Sequence, residues 1–257
     1  KHFLTIQGIN MNHSFSLDQA IELGKLCEQS YLQYGDYEKG KSWRLPDPYN
    51  LLKTMYAVYE GNHIPLGFIA RKDHSIYVVW RGTDNLEEWV QDVKFEQKKC
   101  SFFDDAIQVE LGFKELYITS KGNDNPSPRD VCIQTINQQE NIEKVFVTGH
   151  SLGGALAVIN ALDIATNMSH IPTVYTLAGP RAGNHHFAFT YNKVIIDSWR
   201  LVNSHDEVPK LPPKACPPIH HEYHYQHVNS EYPITFGNFW NLPHNHSLDN
   251  YMAKLES

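Results

Sequence analysis

The sequence contains no long apolar run. No stretch approaches the roughly 18–20 consecutive apolar residues that a membrane-spanning helix needs, so we predict no transmembrane segment. Positive charge is also scarce, because 22 lysines and arginines stand against 29 aspartates and glutamates. The resulting net charge of −7 argues against a nucleic acid as partner. The chain begins with Lys1 rather than Met, which is compatible with a removed signal peptide and leaves both a secreted and a cytoplasmic protein open.

Cysteine is rare as well. The four cysteines include no C-x-x-C pair, and they allow two disulfides in three pairings or none. They are Cys27, Cys100, Cys132 and Cys216. A chain of 257 residues can bury roughly 70–75% of its unfolded surface, so it needs neither a cross-link nor a metal to fold. We therefore expect the cysteines to be structural thiols.

The sequence also shows no internal repeat, no low-complexity tract and no linker, so we predict one domain over residues 1–257. Ser16 and Gln19 form a capping-box pattern, which predicts an N-terminal helix. Short apolar runs at Leu66–Ala70 and Ile76–Trp80 are typical of strands. The two prolines in Gly122–Arg129 favour an exposed loop.

A regular alternation of elements follows that loop. It consists of a helix over 131–142, a strand Val145–Thr148, a helix Leu152–Asn167, a strand Thr173–Ala178, a helix over 184–192 and a strand Trp199–Asn203. Strands and helices that alternate at this spacing predict βαβ units. The expected fold is therefore α/β, with a mostly parallel central sheet and helices on both faces.

The strongest chemical signal is the stretch Gly149-His150-Ser151-Leu152-Gly153-Gly154, which fits G-x-S-x-G. It lies between a predicted strand and a predicted helix, which is where a sharp turn exposes a nucleophilic serine. The glycines leave room for that turn, and the helix N-terminus favours negative charge nearby. A chance pentapeptide in a glycine-rich turn is the alternative. We predict that Ser151 is a nucleophile rather than Cys132, whose surroundings are those of an ordinary helix.

A serine nucleophile needs an acid and a base, which follow it in the order acid and then histidine in this type of fold. Asp206 is the preferred acid because it comes just after a predicted strand, where α/β active sites collect their residues. Its rivals are Glu207, Asp163 and Asp197, and a turn-forming role for Asp206 is the structural alternative.

Fifteen histidines make the base harder to select. We favour His246, in a predicted loop before the last helix, over His244, and His205 is too close to the acid in sequence. Four more histidines could suggest a metal site, but their alternation with tyrosines is more typical of a strand. These are His220, His221, His224 and His227.

An acyl-transfer intermediate also needs donors for its negative oxygen. The backbone N–H of Leu152 supplies one, and Thr83, after the strand Ile76–Trp80, is the candidate for the other. Apolar residues at helical spacing in 84–93 predict a short amphipathic helix, either a lid or a plain surface helix. Asp92 in that segment could accept a hydrogen bond from the Thr83 hydroxyl and support the oxyanion hole.

Taken together, these motifs resemble the class 3 lipases, the fungal-lipase-like branch of the α/β hydrolases. The matching stretches run in family order over residues 76–251. They are Val79–Thr83 with Trp89 and Asp92, Gly112-Phe113 with Tyr117, Val147–Ala157, Leu177–Asn184, Val202–Pro209, Tyr225–Val228, and His246 with Tyr251. Two positions depart from the family: Glu110 stands where a histidine is usual, and Ala178-Gly179 where Phe-Gly is common.

The resemblance implies an α/β-hydrolase fold, a triad of Ser151, Asp206 and His246, an oxyanion hole at Thr83 and Leu152, and a structural role for His227. It also implies hydrolysis of acyl-lipid esters, as by a triacylglycerol lipase, through an acyl-enzyme and without a metal or organic cofactor. The expected partners are an acyl-ester substrate and, transiently, a lipid interface. A phospholipase or feruloyl-type esterase is the nearer alternative, and an inactive lipase-like scaffold the distant one.

Overall fold

The central feature of the structure is a seven-stranded sheet. The computed structural model describes residues 14–59, 62–83, 95–120, 125–216 and 223–257. In chain order the strands are β1 (Asn50–Tyr59), β2 (Asn62–Lys72), β3 (Ser75–Trp80), β4 (Gln97–Lys99), β5 (Gln108–Glu110), β6 (Lys144–His150), β7 (Thr173–Leu177), β8 (Ser198–Asn203), β9 (Ala215–Cys216), β10 (Tyr223–His224) and β11 (Glu231–Ile234). The order across the large sheet is β1-β2-β3-β6-β7-β8-β11, and β4–β5 and β9–β10 form separate two-stranded ribbons.

The helices connect these strands. In the described ranges they are α1 (Leu17–Glu38), α2 (Leu111–Ile118), α3 (Pro128–Asn137), α4 (Leu152–Asn167), α5 (His185–Val194), a 3₁₀ turn at Val208–Lys210, α6 (Leu242–His246) and α7 (Leu248–Leu255). None of these described helices is both long and apolar enough to cross a membrane.

The sheet is parallel from β3 to β11, and only β1 and β2 join it in antiparallel fashion. From β3 to β8 the parallel arrangement follows from the crossover helices, since a strand that returns through a helix on the same sheet runs in the same direction as its predecessor. β11 is also parallel to β8, but the described residues between these two strands form a 3₁₀ turn and the β9–β10 ribbon. The predicted α/β fold with a mostly parallel sheet is confirmed. The carboxyl ends of β3, β6, β8 and β11 consequently meet at one edge of the sheet.

The two faces of the sheet pack against different helices because side chains alternate along each strand. On β3, Val78 and Trp80 belong to the core under α3, α4 and α5. Tyr77 and Val79 face the second core, under α1 and α7. The prediction of helices on both faces is therefore confirmed.

Helix α4 follows the serine motif and has the bounds predicted from the sequence, Leu152–Asn167. Its first thirteen residues are all buried, because the helix lies between the sheet and the outer helices. Small residues allow this close approach: a Cβ on Gly154 would come within 2.8 Å of the Gly179 Cα.

The helix predicted over 131–142 is wrong at both ends, since α3 covers Pro128–Asn137. Ser127 caps its N-terminus by accepting a hydrogen bond from the Asp130 N–H. Pro128 fits the first turn because the N–H that it lacks would have no partner in the helix. The predicted loop Gly122–Arg129 is shorter for the same reason, and its residues 122–124 lie outside the described part of the chain.

The N-terminal helix α1 begins as predicted, with the Ser16 Oγ accepting a hydrogen bond from the Gln19 N–H at 3.2 Å. The reciprocal half of the capping box is not formed. The Gln19 side chain instead donates to the Glu22 carboxylate at 2.8 Å, which ties it to the next turn of the helix.

Three of the cysteines are buried free thiols: Cys27, Cys100 and Cys132. Burial raises the pKa of the Cys27 and Cys132 thiols to about 12 and that of Cys100 to about 11. Such thiols are poor nucleophiles at neutral pH, as expected of packing residues. The side chain of Cys216 lies outside the described part of the structure.

Candidate active site

Ser151 occupies a strained turn between β6 and α4. Its backbone has φ 59° and ψ −130°, in the region that non-glycine residues rarely adopt. The turn depends on two flanking glycines. A Cβ on Gly149 would overlap the Gly153 carbonyl, and one on Gly153 would overlap the Trp80 carbonyl. The motif predicted from sequence therefore forms the sharp strand-to-helix turn that exposes a serine to its partners.

The structure brings Ser151, His246 and Asp206 into one hydrogen-bonded chain. His246 Nε2 lies 2.7 Å from Ser151 Oγ, and His246 Nδ1 lies 2.8 Å from Asp206 Oδ2. All three residues are buried. An ionised carboxylate only accepts, so the Nδ1–H of a neutral His246 donates to Asp206, which leaves Nε2 free to accept the serine proton.

The Asp206 carboxylate has further donors. The Tyr251 hydroxyl donates to Oδ2 at 3.0 Å, and the Val208 N–H donates to Oδ1 at 3.0 Å. Asp206 lies in the turn after β8, where its own N–H donates to the Asn203 carbonyl. These bonds fix the orientation of the carboxylate, and through it the orientation of the His246 ring.

The rival residues lie elsewhere. Among the acids, Glu207 is exposed and paired with Lys210, Asp163 is bound to Arg129, and Asp197 accepts from the Trp199 indole N–H. Among the histidines, His244 is exposed, and His205 Nδ1 donates to the Phe236 carbonyl at 2.9 Å.

His246 does not lie in a loop, as the sequence suggested, but ends the short helix α6 directly before α7. Asn241 caps α6 by accepting from the His244 N–H, which starts a helical turn that the sequence pattern was too short to predict. The correction concerns only the local backbone.

His150 supports His246 from behind and was not predicted as a site residue. Burial, with a contribution from the neighbouring His246, holds the pKa of His150 well below its usual value. The ring is therefore neutral. Its Nε2–H donates to the His246 carbonyl at 2.9 Å, and its Nδ1 accepts from the Tyr31 hydroxyl at 2.8 Å. The only sequence signal was its place beside Ser151 in the motif.

The candidate oxyanion donors come from two adjoining elements. Leu152 is the first residue of α4, where helical N–H groups lack an acceptor within the helix. Thr83 follows the end of β3, one residue after Gly82, and a Cβ on Gly82 would come within 3.0 Å of the Ser151 Cβ. The turn before Thr83 thus packs directly against the serine. Asp92, Trp89 and the predicted lid helix lie outside the described residues.

The histidine group considered as a metal site is only partly described. His224 is exposed on β10, and His227 Nε2–H donates to the Pro209 carbonyl at 2.6 Å. Burial and the nearby Arg200 lower the pKa of His227 to about 3. His220 and His221 lie outside the described ranges. Within those ranges no group of three or more His, Cys, Asp or Glu could hold a metal ion.

The two departures from the family pattern have local roles. Glu110 caps α2, because its carboxylate accepts a hydrogen bond from the Phe113 N–H at 2.9 Å. Burial raises the pKa of this carboxyl above its usual value. Ala178 takes a positive φ of 54° at the end of β7. Neither residue is hydrogen-bonded to the three residues of the serine chain.

The sheet order and the strand–turn–helix serine define an α/β-hydrolase fold. The sequence pattern of the family Lipase (class 3) matches residues 77–216, more than half of the chain. The chain therefore belongs to the class 3 lipase family.

Known proteins support this assignment. Phospholipase A1-Igamma3, chloroplastic, of Arabidopsis thaliana is 33% identical over 166 residues, 56% of this chain and 31% of the relative. A lipase of Rhizomucor miehei is 31% identical over 186 residues, 69% of this chain and 46% of the relative. The chain thus spans about a third to a half of the length of these curated relatives.

Solved structures show the same fold. The Rhizomucor miehei lipase–propeptide complex has a TM-score of 0.67 at 26% identity, covering 86% of this chain and 70% of that chain. A triacylglycerol lipase, described as having a serine protease triad as its catalytic centre, has a TM-score of 0.65 at 27% identity, covering 86% of this chain and 82% of that chain.

Proposed function

We propose that this protein hydrolyses carboxylic esters of acyl lipids, with Ser151 as nucleophile, His246 as general base and Asp206 as the acid that orients it. The observation that carries this proposal is the chain of two short hydrogen bonds, 2.7 Å and 2.8 Å, from Ser151 through His246 to Asp206. A nucleophile, a base within reach and a third group that orients the base are the requirements of acyl transfer.

The reaction proceeds in two halves. His246 Nε2 takes the Ser151 proton as Oγ attacks the ester carbonyl, and the imidazolium then protonates the departing alcohol. The N–H groups of Leu152 and Thr83 bind the oxyanion, with Asp92 supporting Thr83. Removing one such donor costs roughly 3–4 kcal/mol of transition-state stabilisation. Water, activated by His246, then releases the fatty acid from the acyl-enzyme. These steps use no metal or organic cofactor.

Our first candidate for the substrate is a triacylglycerol. It is supported by the likeness to fungal lipases and by the solved triacylglycerol lipase with the same fold. Phospholipase A1 activity is the second candidate, because several of the similar curated relatives are named as phospholipases A1. The two activities share the serine chemistry. Their substrates differ at one glycerol position, which carries a third acyl chain in a triacylglycerol and a phosphate headgroup in a phospholipid.

The test compares wild type, Ser151→Ala and the control Ser101→Ala, which changes an exposed serine in a turn. Hydrolysis of p-nitrophenyl esters of increasing chain length, of emulsified triolein and of phosphatidylcholine is measured. We expect Ser151→Ala to abolish every activity and Ser101→Ala to retain them. Equal activity in wild type and Ser151→Ala would refute the nucleophile. An inactive wild type that does not react with a fluorophosphonate probe would indicate a scaffold.

A further inference from the structure

Two large aromatic side chains are exposed close to the candidate active site. Trp240 is 94% exposed and Phe239 is 69% exposed, although burying such side chains is favourable. They lie in the segment 235–241, called here the aromatic loop, between β11 and α6. Adjacent exposed aromatics are unusual on a protein surface that contacts only water.

The aromatic loop is held in a defined conformation. His205 Nδ1–H donates to the Phe236 carbonyl at 2.9 Å, and the ring of His205 lies 4.3 Å from that of Phe239. Gly237 has a φ of 72°, and a Cβ there would overlap the Asn245 side-chain oxygen. The loop therefore presents its aromatics from a fixed backbone.

The same contacts join the loop to the triad residues. His205 precedes Asp206, and Asn245 precedes His246. The Asn245 amide donates to the His205 carbonyl at 3.0 Å and to the Asn238 carbonyl at 2.5 Å. The loop also leaves β11 at its carboxyl end, the edge of the parallel sheet from which Ser151 and Asp206 emerge. The loop that carries Trp240 therefore starts at the edge of the sheet that carries the serine.

The chain segment that carries the aromatics contains no fixed charge. Residues 232–248 contain no Asp, Glu, Lys or Arg, in a chain with a net charge of −7. A surface without fixed charges loses little hydration when it enters a lipid headgroup region, whereas charged groups would oppose entry. Tryptophan is suited to that depth, since its ring is apolar and its N–H can bond to headgroup oxygens.

Another exposed apolar site provides a contrast. Ile196 is 69% exposed, as Phe239 is, but it lies between α5 and the start of β8, at the opposite edge of the sheet. Lys193 and Asp197 flank it in sequence. Exposure alone is thus common to both sites, and of these two the Phe239 site combines it with a second aromatic ring and a segment without fixed charge.

We propose that the aromatic loop is a lipid-docking surface, with Trp240 and Phe239 inserting into the interface of a neutral or zwitterionic lipid aggregate. This inference rests on the proposed function, because it supplies the means by which an acyl-lipid hydrolase would bring its active site to an insoluble substrate. It is independent of the predicted lid segment.

The binding test uses the Ser151→Ala chain, so that vesicles of dioleoylphosphatidylcholine stay intact. Partitioning is measured by co-sedimentation for this parent, for Trp240→Ala and Phe239→Ala in the same background, and for Phe189→Ala as control. Phe189 is an aromatic residue 65% exposed on α5. We expect partitioning to fall about tenfold for Trp240→Ala, less for Phe239→Ala and not at all for Phe189→Ala. Far-ultraviolet circular dichroism checks the fold of each variant.

Two readouts separate insertion from a structural effect. The difference between the emission spectra of the parent and its Trp240→Ala variant isolates Trp240, and it should shift to the blue when vesicles are added. Vesicles enriched in phosphatidylserine should bind no more strongly than neutral ones. Binding that requires phosphatidylserine and disappears in salt would overturn an apolar mechanism.

The proposal is overturned if the parent does not bind vesicles, or if Trp240→Ala binds as well as the parent. A parent that sediments as a dimer, and as a monomer after Trp240→Ala, would assign the surface to a second copy of the chain.

Failure of the proposed function is a different result: vesicle binding would depend on Trp240 while the wild type hydrolyses no ester. In an active wild type, the ratio of vesicle to monomeric short-ester hydrolysis should fall in Trp240→Ala and not in Phe189→Ala.

Discussion

Two buried aspartates, Asp163 and Asp206, occupy polar networks on different sides of the molecule. Neither has any exposed surface, and each accepts a hydrogen bond from a tyrosine hydroxyl. Their main partners differ. Asp163 binds the Arg129 guanidinium through two bonds of 2.6 Å and 3.0 Å, whereas Asp206 binds the His246 imidazole.

The difference separates a structural carboxylate from a candidate catalytic one. Arginine keeps its charge at every physiological pH, so the Arg129–Asp163 pair holds α3 against α4 without a change of state. Histidine exchanges protons near neutral pH, and a carboxylate beside it can stabilise the imidazolium as it forms. Burial and hydrogen bonding alone therefore do not identify the acid of an active site.

The largest effect should come from Asp206→Asn. The amide retains the size of the carboxylate but not its charge, and it no longer fixes the His246 tautomer that accepts the serine proton. We expect kcat on a soluble ester to fall roughly 10⁴-fold with a change in unfolding free energy of about 1 kcal/mol. Steady-state kinetics and urea unfolding measure both quantities. A loss below tenfold would remove Asp206 from the mechanism.

Asp163→Asn should show the opposite pattern. It removes the closer of two carboxylates beside the Arg129 side chain, which is 22% exposed, and leaves Asp130 at 3.6 Å. We therefore expect the unfolding free energy to fall by about 3 kcal/mol. Turnover per folded molecule should stay within about threefold of wild type. Replacing both partners, as Arg129→Met with Asp163→Leu, should recover part of the stability. A large loss of turnover in folded Asp163→Asn would contradict the distinction.

The two tyrosines offer a matched pair of smaller changes. Tyr251→Phe removes the donor to Asp206 and leaves the Asn203 N–H without its 2.8 Å acceptor, while Tyr117→Phe removes the donor to Asp163. Each should cost about 1–3 kcal/mol of stability. Only Tyr251→Phe should also lower kcat, by about tenfold with KM unchanged. Equal kinetics in the two variants would weaken the assignment of Asp206.

A pH effect on stability, with none on the serine chemistry, is expected outside both networks. Because the pKa of His227 is about 3 in the folded protein and near 6.5 when unfolded, the unfolded chain binds one more proton between these values. The contribution of the buried, neutral His227 to the unfolding free energy is therefore complete above pH 6.5. It is lost as the pH falls towards 3, by up to about 1.4 kcal/mol per pH unit.

Urea unfolding between pH 7 and pH 4.5 measures the slope of the unfolding free energy against pH. His227→Gln should flatten it, since the glutamine does not titrate and can still donate to the Pro209 carbonyl. His186→Gln, a change of an exposed histidine on α5, should leave it as in wild type. An unchanged slope in His227→Gln would mean that other groups control the acid sensitivity.

Much of the fold was predictable because its signals are local. The bounds of α4, the position of β6 and the serine turn between them follow from apolar runs and glycines within about twenty consecutive residues. The sequence was less informative where a cap or a contact decides the boundary. Ser127 starts α3 earlier than the apolar pattern indicated, and Asn241 starts the short helix that ends at His246.

Local sequence signals were enough to predict the α/β fold class, the sharp turn at Ser151 and the short set of acids and histidines that could serve it. Tertiary structure decided which members of that set meet. The packing of α3 against α4 places Arg129 on Asp163, whereas the position of α6 places His246 on Asp206. It also decided the neutral state of His150 and the exposure of Trp240, because burial and long-range partners are properties of the folded chain.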